Sequence, residues 1–125
     1  MTDLIKATQS KNISFVKKLL QTKYKTPDKI NNEVDKDLNT ALICACRGGS
    51  VEITKLLIAS KASIDQPNKN GSTPLHIACQ KGNTSIVELL IASKASIDQP
   101  NNDGETPFFV VCAYGYTSIV ELLIA

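Results

Sequence analysis

Apolar positions along this chain fall into short helical runs separated by polar turns, and the pattern restarts at a fixed interval. Leu75, Ile77, Ala78 and Cys79 follow Thr73-Pro74, which reads as a short helix that Gly82 ends. Ile86, Val87, Leu89, Leu90 and Ile91, interrupted only by Glu88, then form a second apolar run with helical spacing. The connection Asn68-Lys69-Asn70-Gly71 is polar and turn-rich, and Asn70-Gly71 is the strongest tight-turn signal in the chain. Near the start, Ile13, Val16, Leu19 and Leu20 give a similar amphipathic segment.

The interval is 33 residues. Thr40, Thr73 and Thr106 keep it, as do Cys46, Cys79 and Cys112, and Gly49, Gly82 and Gly115. The stretch LLIASKASIDQPN from Leu56 to Asn68 returns unchanged from Leu89 to Asn101, and SIVELLIA from Ser85 returns from Ser118. Self-similarity at this period marks a stacked repeat architecture. The Thr73-Pro74-Leu75-His76 tetrapeptide, the glycine between the helices and the Ile86-Val87-x-Leu89-Leu90 run resemble the ankyrin repeat closely, clearly from Asp37 onward and more loosely before it. The resemblance implies an all-α ankyrin-repeat solenoid of stacked helix–turn–helix units with finger-like turns. The chain divides into a degenerate N-terminal capping unit with an enlarged loop (residues 1–36), repeats at 37–69 and 70–102, and a repeat at 103–125 that stops inside its second helix.

Departures from regularity set further expectations. Residues 1–20 lack the Thr-Pro-Leu-His motif, and Asp3 is placed as a helix cap. Lys6, Gln9, Lys11, Lys17 and Lys18 supply the polar outer face that an end unit requires. Twenty steps separate Leu20 from Thr40, against sixteen from Leu57 to Thr73, so Gln21 to Asp37 reads as an enlarged polar loop without chemistry, at most an extra contact surface. Leu38 replaces the glycine found at Gly71 and Gly104, Ala41 replaces Pro74 and Ile43 replaces His76, so this finger is expected to be less regular than the next two. Helices over about 41–47 and 51–60 are expected in that repeat. Lys61 and Lys94 stand where the resemblance implies a left-handed glycine after the second helix. Either the turn is built differently or each repeat tolerates a cost of roughly 1 kcal/mol. The final apolar helix has no polar cap, and two explanations fit: the natural chain continues, or this end self-associates with another copy.

Composition adds exclusions. A hydrophobic fraction of 42% suits a folded protein, and the net charge of +2 is too small to favour nucleic acid or an anionic membrane. Neither a signal-peptide core nor an apolar run of spanning length is present, which leads to an expected cytoplasmic location. Cys46, Cys79 and Cys112 share one repeat position, about a helix spacing of 8–10 Å apart, beyond disulfide reach. With Cys44 they read as small core residues.

No catalytic, cofactor or metal site is expected. His76 has no nucleophile or second ligand at readable spacing and is assigned to local hydrogen bonds that tie the turn. Asp35-Lys36-Asp37-Leu38-Asn39 begins like a calcium loop, but Thr40 occupies the required glycine position and Cys46 that of the closing Glu. Glu52, Glu88 and Glu121 recur one per repeat and belong to the architecture. What remains is the face that the ankyrin resemblance implies, lined by finger tips and the exposed side of each first helix. Its candidate partner-binding residues are Lys36, Asp37, Asn39 and Arg47, then Lys69, Asn70, Ser72, Gln80 and Lys81, then Asn102, Asp103, Glu105 and Tyr114. Arg47 and Tyr114 are of the types enriched at binding hot spots. The expected function is a non-enzymatic scaffold that binds another protein through this concave face. The competing expectation is a spacer or self-associating segment of a longer repeat protein.

Overall fold

The computed structural model describes residues 3–124, and among them every regular element is helical. In chain order these are α1 (Asp3–Gln9), α2 (Ile13–Gln21), α3 (Pro27–Asn32), α4 (Ala41–Gly48), α5 (Val51–Ala59), α6 (Pro74–Lys81), α7 (Thr84–Ala92), α8 (Pro107–Tyr114) and α9 (Thr117–Ile124). Four helix pairs stack into two rows. α1, α4, α6 and α8 pack side by side in one row, and α2, α5, α7 and α9 in the other.

The repeated residues explain the repeated geometry. The hydroxyls of Thr40, Thr73 and Thr106 accept from the N–H groups of Ile43, His76 and Phe109, capping α4, α6 and α8. Pro74 and Pro107 open their helices where a missing N–H costs nothing. Gly49, Gly82 and Gly115 end those helices in the left-handed conformation, at φ +75°, +69° and +73°. Ser50 and Asn83 then cap α5 and α7.

The first unit follows the same plan with other residues. Lys11, at φ +56°, takes the glycine's place, and Asn12 caps α2. The Asn12 N–H donates to the Ala7 carbonyl as that of Ser50 does to Ala45 and that of Asn83 to Ala78. Asp3 lies inside α1, not in front of it as its cap, while Met1 and Thr2 fall outside the described residues. Lys6, Gln9, Lys11, Lys17 and Lys18 are all exposed.

Three further expectations need correction. The segment from Gln21 to Asp37 is not a bare loop: Thr26 caps α3, Pro27 opens it and Ile30 is buried. Its end is tied down, because the Glu33 carboxylate accepts from the Ile5 N–H (3.0 Å) and the Tyr24 hydroxyl, and Asn31 Oδ1 accepts from the Ser63 N–H (2.8 Å). The Leu38 finger is as regular as the others. Leu38 adopts φ +64° and donates to the Asp35 carbonyl as Gly71 does to Asn68 and Gly104 to Asn101. Cys112 is exposed, unlike Cys46 and Cys79, because no further helix stacks on that side of α8 among the described residues. Lys61 and Lys94 both sit at φ +70°, so the turn after each second helix keeps its left-handed form and bears the cost.

The core runs between the rows through the whole stack. Leu42, Leu75, Ile53, Ile86, Leu57 and Leu90 are fully buried, with Ala45, Ala78, Cys46 and Cys79 where helices approach closely. Burial pushes the Cys46 and Cys79 thiols up to about 12, so these act as small apolar groups.

Candidate functional site

Each finger is built by one side chain that organises its own backbone. Asp35 Oδ1 accepts from the N–H groups of Asp37 and Asn39, Asn68 Oδ1 from those of Asn70 and Ser72, and Asn101 Oδ1 from those of Asp103 and Glu105. A short side chain with an acceptor oxygen is therefore needed every 33 residues. Burial raises the Asp35 pKa. The hydrogen bonds from the Asn39 side chain and from the Asn39 and Asp37 N–H groups, with the Arg47 charge, outweigh it and hold the carboxyl below its ordinary value.

The fingers are also joined to one another. The Lys69 N–H donates to the Asp37 carbonyl (2.8 Å), and the Asn102 N–H to the Asn70 carbonyl (2.9 Å). Side chains reinforce these bonds: Asn68 Nδ2 donates to Asn39 Oδ1, and Asn102 Nδ2 to the Lys69 carbonyl. His76 ties a finger to a helix. The Thr73 N–H donates to Nδ1 (3.1 Å), which leaves the proton on Nε2 to donate to the Glu105 carbonyl (2.8 Å). The local tie expected of His76 is present, and the bond to the next repeat is an addition to it.

Between these joined fingers and helices α4 and α6 lies a groove of about 400 Å³. Arg47, Asn70, Ser72, Gln80, Lys81, Asn102, Asp103 and Glu105 line it, together with Asn68, Ile77 and Asn101, which were not among the sequence candidates. A second hollow of about 210 Å³ adjoins it, where Tyr114 meets Ser72, Gln80 and Glu105. Lys36, Asp37 and Lys69 are exposed but line neither. Asn39 is a correction: it is 2% exposed and its side chain is spent on Asp35 and Asn68, so it holds fingers together and offers no contact. Glu105 is half-buried and accepts from Asn101 Nδ2, leaving a partly available carboxylate.

Tyr116 was not anticipated. Its ring stacks on Tyr114 with centroids 5.5 Å apart, and its hydroxyl donates to the Gln80 carbonyl (3.4 Å). The signal was the Tyr114-Gly115-Tyr116 triplet, set where earlier repeats have Gly48/Ser50 and Lys81/Asn83.

The groove offers basic groups from the helices, at Arg47 and Lys81, opposite acidic groups from the last finger, at Asp103 and Glu105. Both ring nitrogens of His76 are committed, and burial holds its pKa below the ordinary value. The described residues contain no group of three His, Cys, Asp or Glu placed to hold a metal, and no described helix is long and apolar enough to cross a membrane. The arrangement is equipped for recognition by charge and hydrogen bonding.

A search of curated proteins gave no match. A family model for ankyrin repeats (three copies) matches residues 4–101 and again 61–125. Ankyrin repeats are generally protein–protein interaction modules and typically non-enzymatic. Matched over nearly its whole length and built of stacked helix pairs with joined fingers, the chain belongs to the ankyrin repeat family.

Proposed function

We propose that this chain is a non-enzymatic scaffold in the cytoplasm that binds another protein through the concave face between its fingers and the α4/α6/α8 row. The observation that carries the reading is the groove itself. It draws residues from three successive repeats into one continuous polar surface whose charge changes from basic at Arg47 and Lys81 to acidic at Asp103 and Glu105. The finger-to-finger hydrogen bonds hold that surface rigid, which lowers the ordering cost of binding. A net charge of +2 gives no general attraction to nucleic acid or anionic membrane.

Replacing Arg47 and Tyr114 with Ala tests it. Both side chains are exposed, so the fold remains, and circular dichroism should be unchanged. Capture of the partner from a lysate of the source cell should weaken at least tenfold, as expected for hot-spot types. Capture by the double variant at the wild-type level rejects this face.

A further inference from the structure

We propose, on the reading of this face as a partner-binding surface, that its occupant is an extended segment of the partner carrying one acidic and one basic side chain two or three residues apart. The acidic side chain lies between Arg47 and Lys81, and the basic one enters the hollow between Glu105 and Tyr114.

The charges of the groove are opposite in sign and unpaired. Arg47 and Lys81 line it together with Asp103 and Glu105. Among the described residues the one salt bridge joins Lys23 to Asp3, in the first unit. Asp35 is the acid whose charge meets Arg47, but its oxygens are spent on the N–H groups of Asp37 and Asn39 and on Asn39 Nδ2. Glu105 Oε1 accepts from Asn101 Nδ2, which fixes the carboxylate and leaves Oε2 open. The rigid fingers and helices hold these groups apart, so a ligand of complementary charge order satisfies what the chain leaves to water.

The hollow suits a cation on an apolar stem. Val110 and Tyr114 give it an apolar wall, Glu105 a carboxylate, and Ser72 and Gln80 hydrogen-bonding groups. Tyr116 covers one face of the Tyr114 ring and bonds the Gln80 carbonyl, so the ring is held in place while 52% exposed. An arginine or lysine stem can lie on that ring with its head group at Glu105. The position is open in mid-stack too: Lys81, the equivalent of Tyr114, is exposed with α8 packed beside α6.

The spacing follows from the stack. One socket lies between α4 and α6 and the other between α6 and α8, one helix step of about 8–10 Å apart. Three residues of polyproline II chain return to the same face after about 9 Å, and two residues of strand after about 7 Å. A nucleic acid backbone, with charge of one sign, meets repulsion at Asp103 and Glu105. The repeats themselves mark this surface. Residues 84–92 and 117–125 are identical, while ten differences separate 68–83 from 101–116. Seven of those ten positions have a member lining the groove or the hollow, so the copies diverge where the ligand is placed.

Random dodecapeptides displayed on phage, panned on the 125-residue chain, test this. Enriched sequences should pair Asp or Glu with Arg or Lys two or three residues away. By fluorescence anisotropy, the Arg47→Glu, Lys81→Glu double variant should bind a selected synthetic peptide at least about tenfold more weakly, and changing the peptide's acid to lysine should restore binding. Tyr114→Ala should cost about fivefold, and that loss should vanish for a peptide whose basic residue is alanine. All three side chains are exposed, so melting curves should match the wild type. Peptides that lack the charge pair yet are lost on Arg47→Glu, Lys81→Glu overturn this occupant and leave the concave face as a binding surface. Peptides indifferent to every variant overturn both. A library without enrichment overturns the occupant, while capture of the partner tests the face separately.

Discussion

His76 in α6 donates its Nε2 proton to the main-chain carbonyl of Glu105, 2.8 Å away at the base of the next finger. The same ring accepts from the Thr73 N–H at its own helix start. One side chain thus closes a helix cap and fastens two repeats, a pairing that Ile43 and Phe109 cannot make in theirs.

Replacing His76 with Ile, the residue of the first clear repeat, should therefore destabilise despite the added hydrophobicity. The buried Thr73 N–H loses its partner, and the Glu105 carbonyl, which still accepts from the Asn101 N–H, loses one of its two donors. A loss of about 1–3 kcal/mol is expected. Urea denaturation measures it, and a variant as stable as the wild type would show that the bond contributes nothing net.

The same residue sets a pH dependence. Burial holds the ring below its ordinary value of 6.5, against the pull of the Glu105 carbonyl and charge. Above pH 6.5 the ring is neutral in both folded and unfolded chains, and this contribution is flat. Below 6.5 the unfolded chain takes up a proton that the folded chain resists, so stability falls as pH drops toward the folded value. Thermal midpoints measured from pH 7.5 down to 5 should decline, and His76→Ile should flatten the upper part of that decline. As the only histidine, its titration is readable by NMR without assignment, and a midpoint at or above 6.5 refutes the direction.

Strain at the left-handed turns is open to direct repair. Leu38, Lys61 and Lys94 hold φ between +64° and +70°, where a side chain costs roughly 1–2 kcal/mol and glycine nothing. Glycine also frees the unfolded chain, which offsets roughly 0.5–1 kcal/mol of the gain. Lys61→Gly and Lys94→Gly, at exposed positions, should each add about 0.5–1 kcal/mol and together raise the thermal midpoint by several degrees. Leu38→Gly should act alike, since Leu38 is 49% exposed and loses little packing. An unchanged or lower midpoint for all three would mean that the turns carry no strain.

Leu38 also shows where sequence reasoning stops. The 33-residue period, the Thr caps and the left-handed glycines were legible because each is a local demand that one residue type meets. Leu38 broke the local rule, yet the Asp35 turn bonds and the finger-to-finger bond from Lys69 outweigh a strain of that size. α3 was missed for a different reason. Six residues with one buried side chain, Ile30, leave no periodicity, although Thr26-Pro27 is a cap followed by a first-turn proline. Asn39 was placed on the binding face because Ser72 and Glu105 share its position. Only the stack reveals that Asn68 Nδ2 reaches back to claim its carbonyl oxygen. Eight of the eleven residues lining the groove were therefore readable as positions, but not which polar groups the architecture had already consumed.

Two finger glycines separate backbone strain from crowding. Gly71 and Gly104 occupy the same turn position at φ +76° and +78°, so alanine meets the same conformational penalty of roughly 1 kcal/mol at either. A Cβ on Gly71 would lie 2.8 Å from the backbone nitrogen of Asn102, in the next finger, whereas one on Gly104 meets nothing within 4 Å. Because the obstructing atom is backbone, and Asn102 uses that nitrogen to bond the Asn70 carbonyl, relief requires the two fingers to part. Gly71→Ala should thus cost about 1–3 kcal/mol more than Gly104→Ala. The excess measures how tightly neighbouring fingers are pressed together. Equal losses in urea denaturation would mean that the fingers part freely and that the groove they border is not rigid.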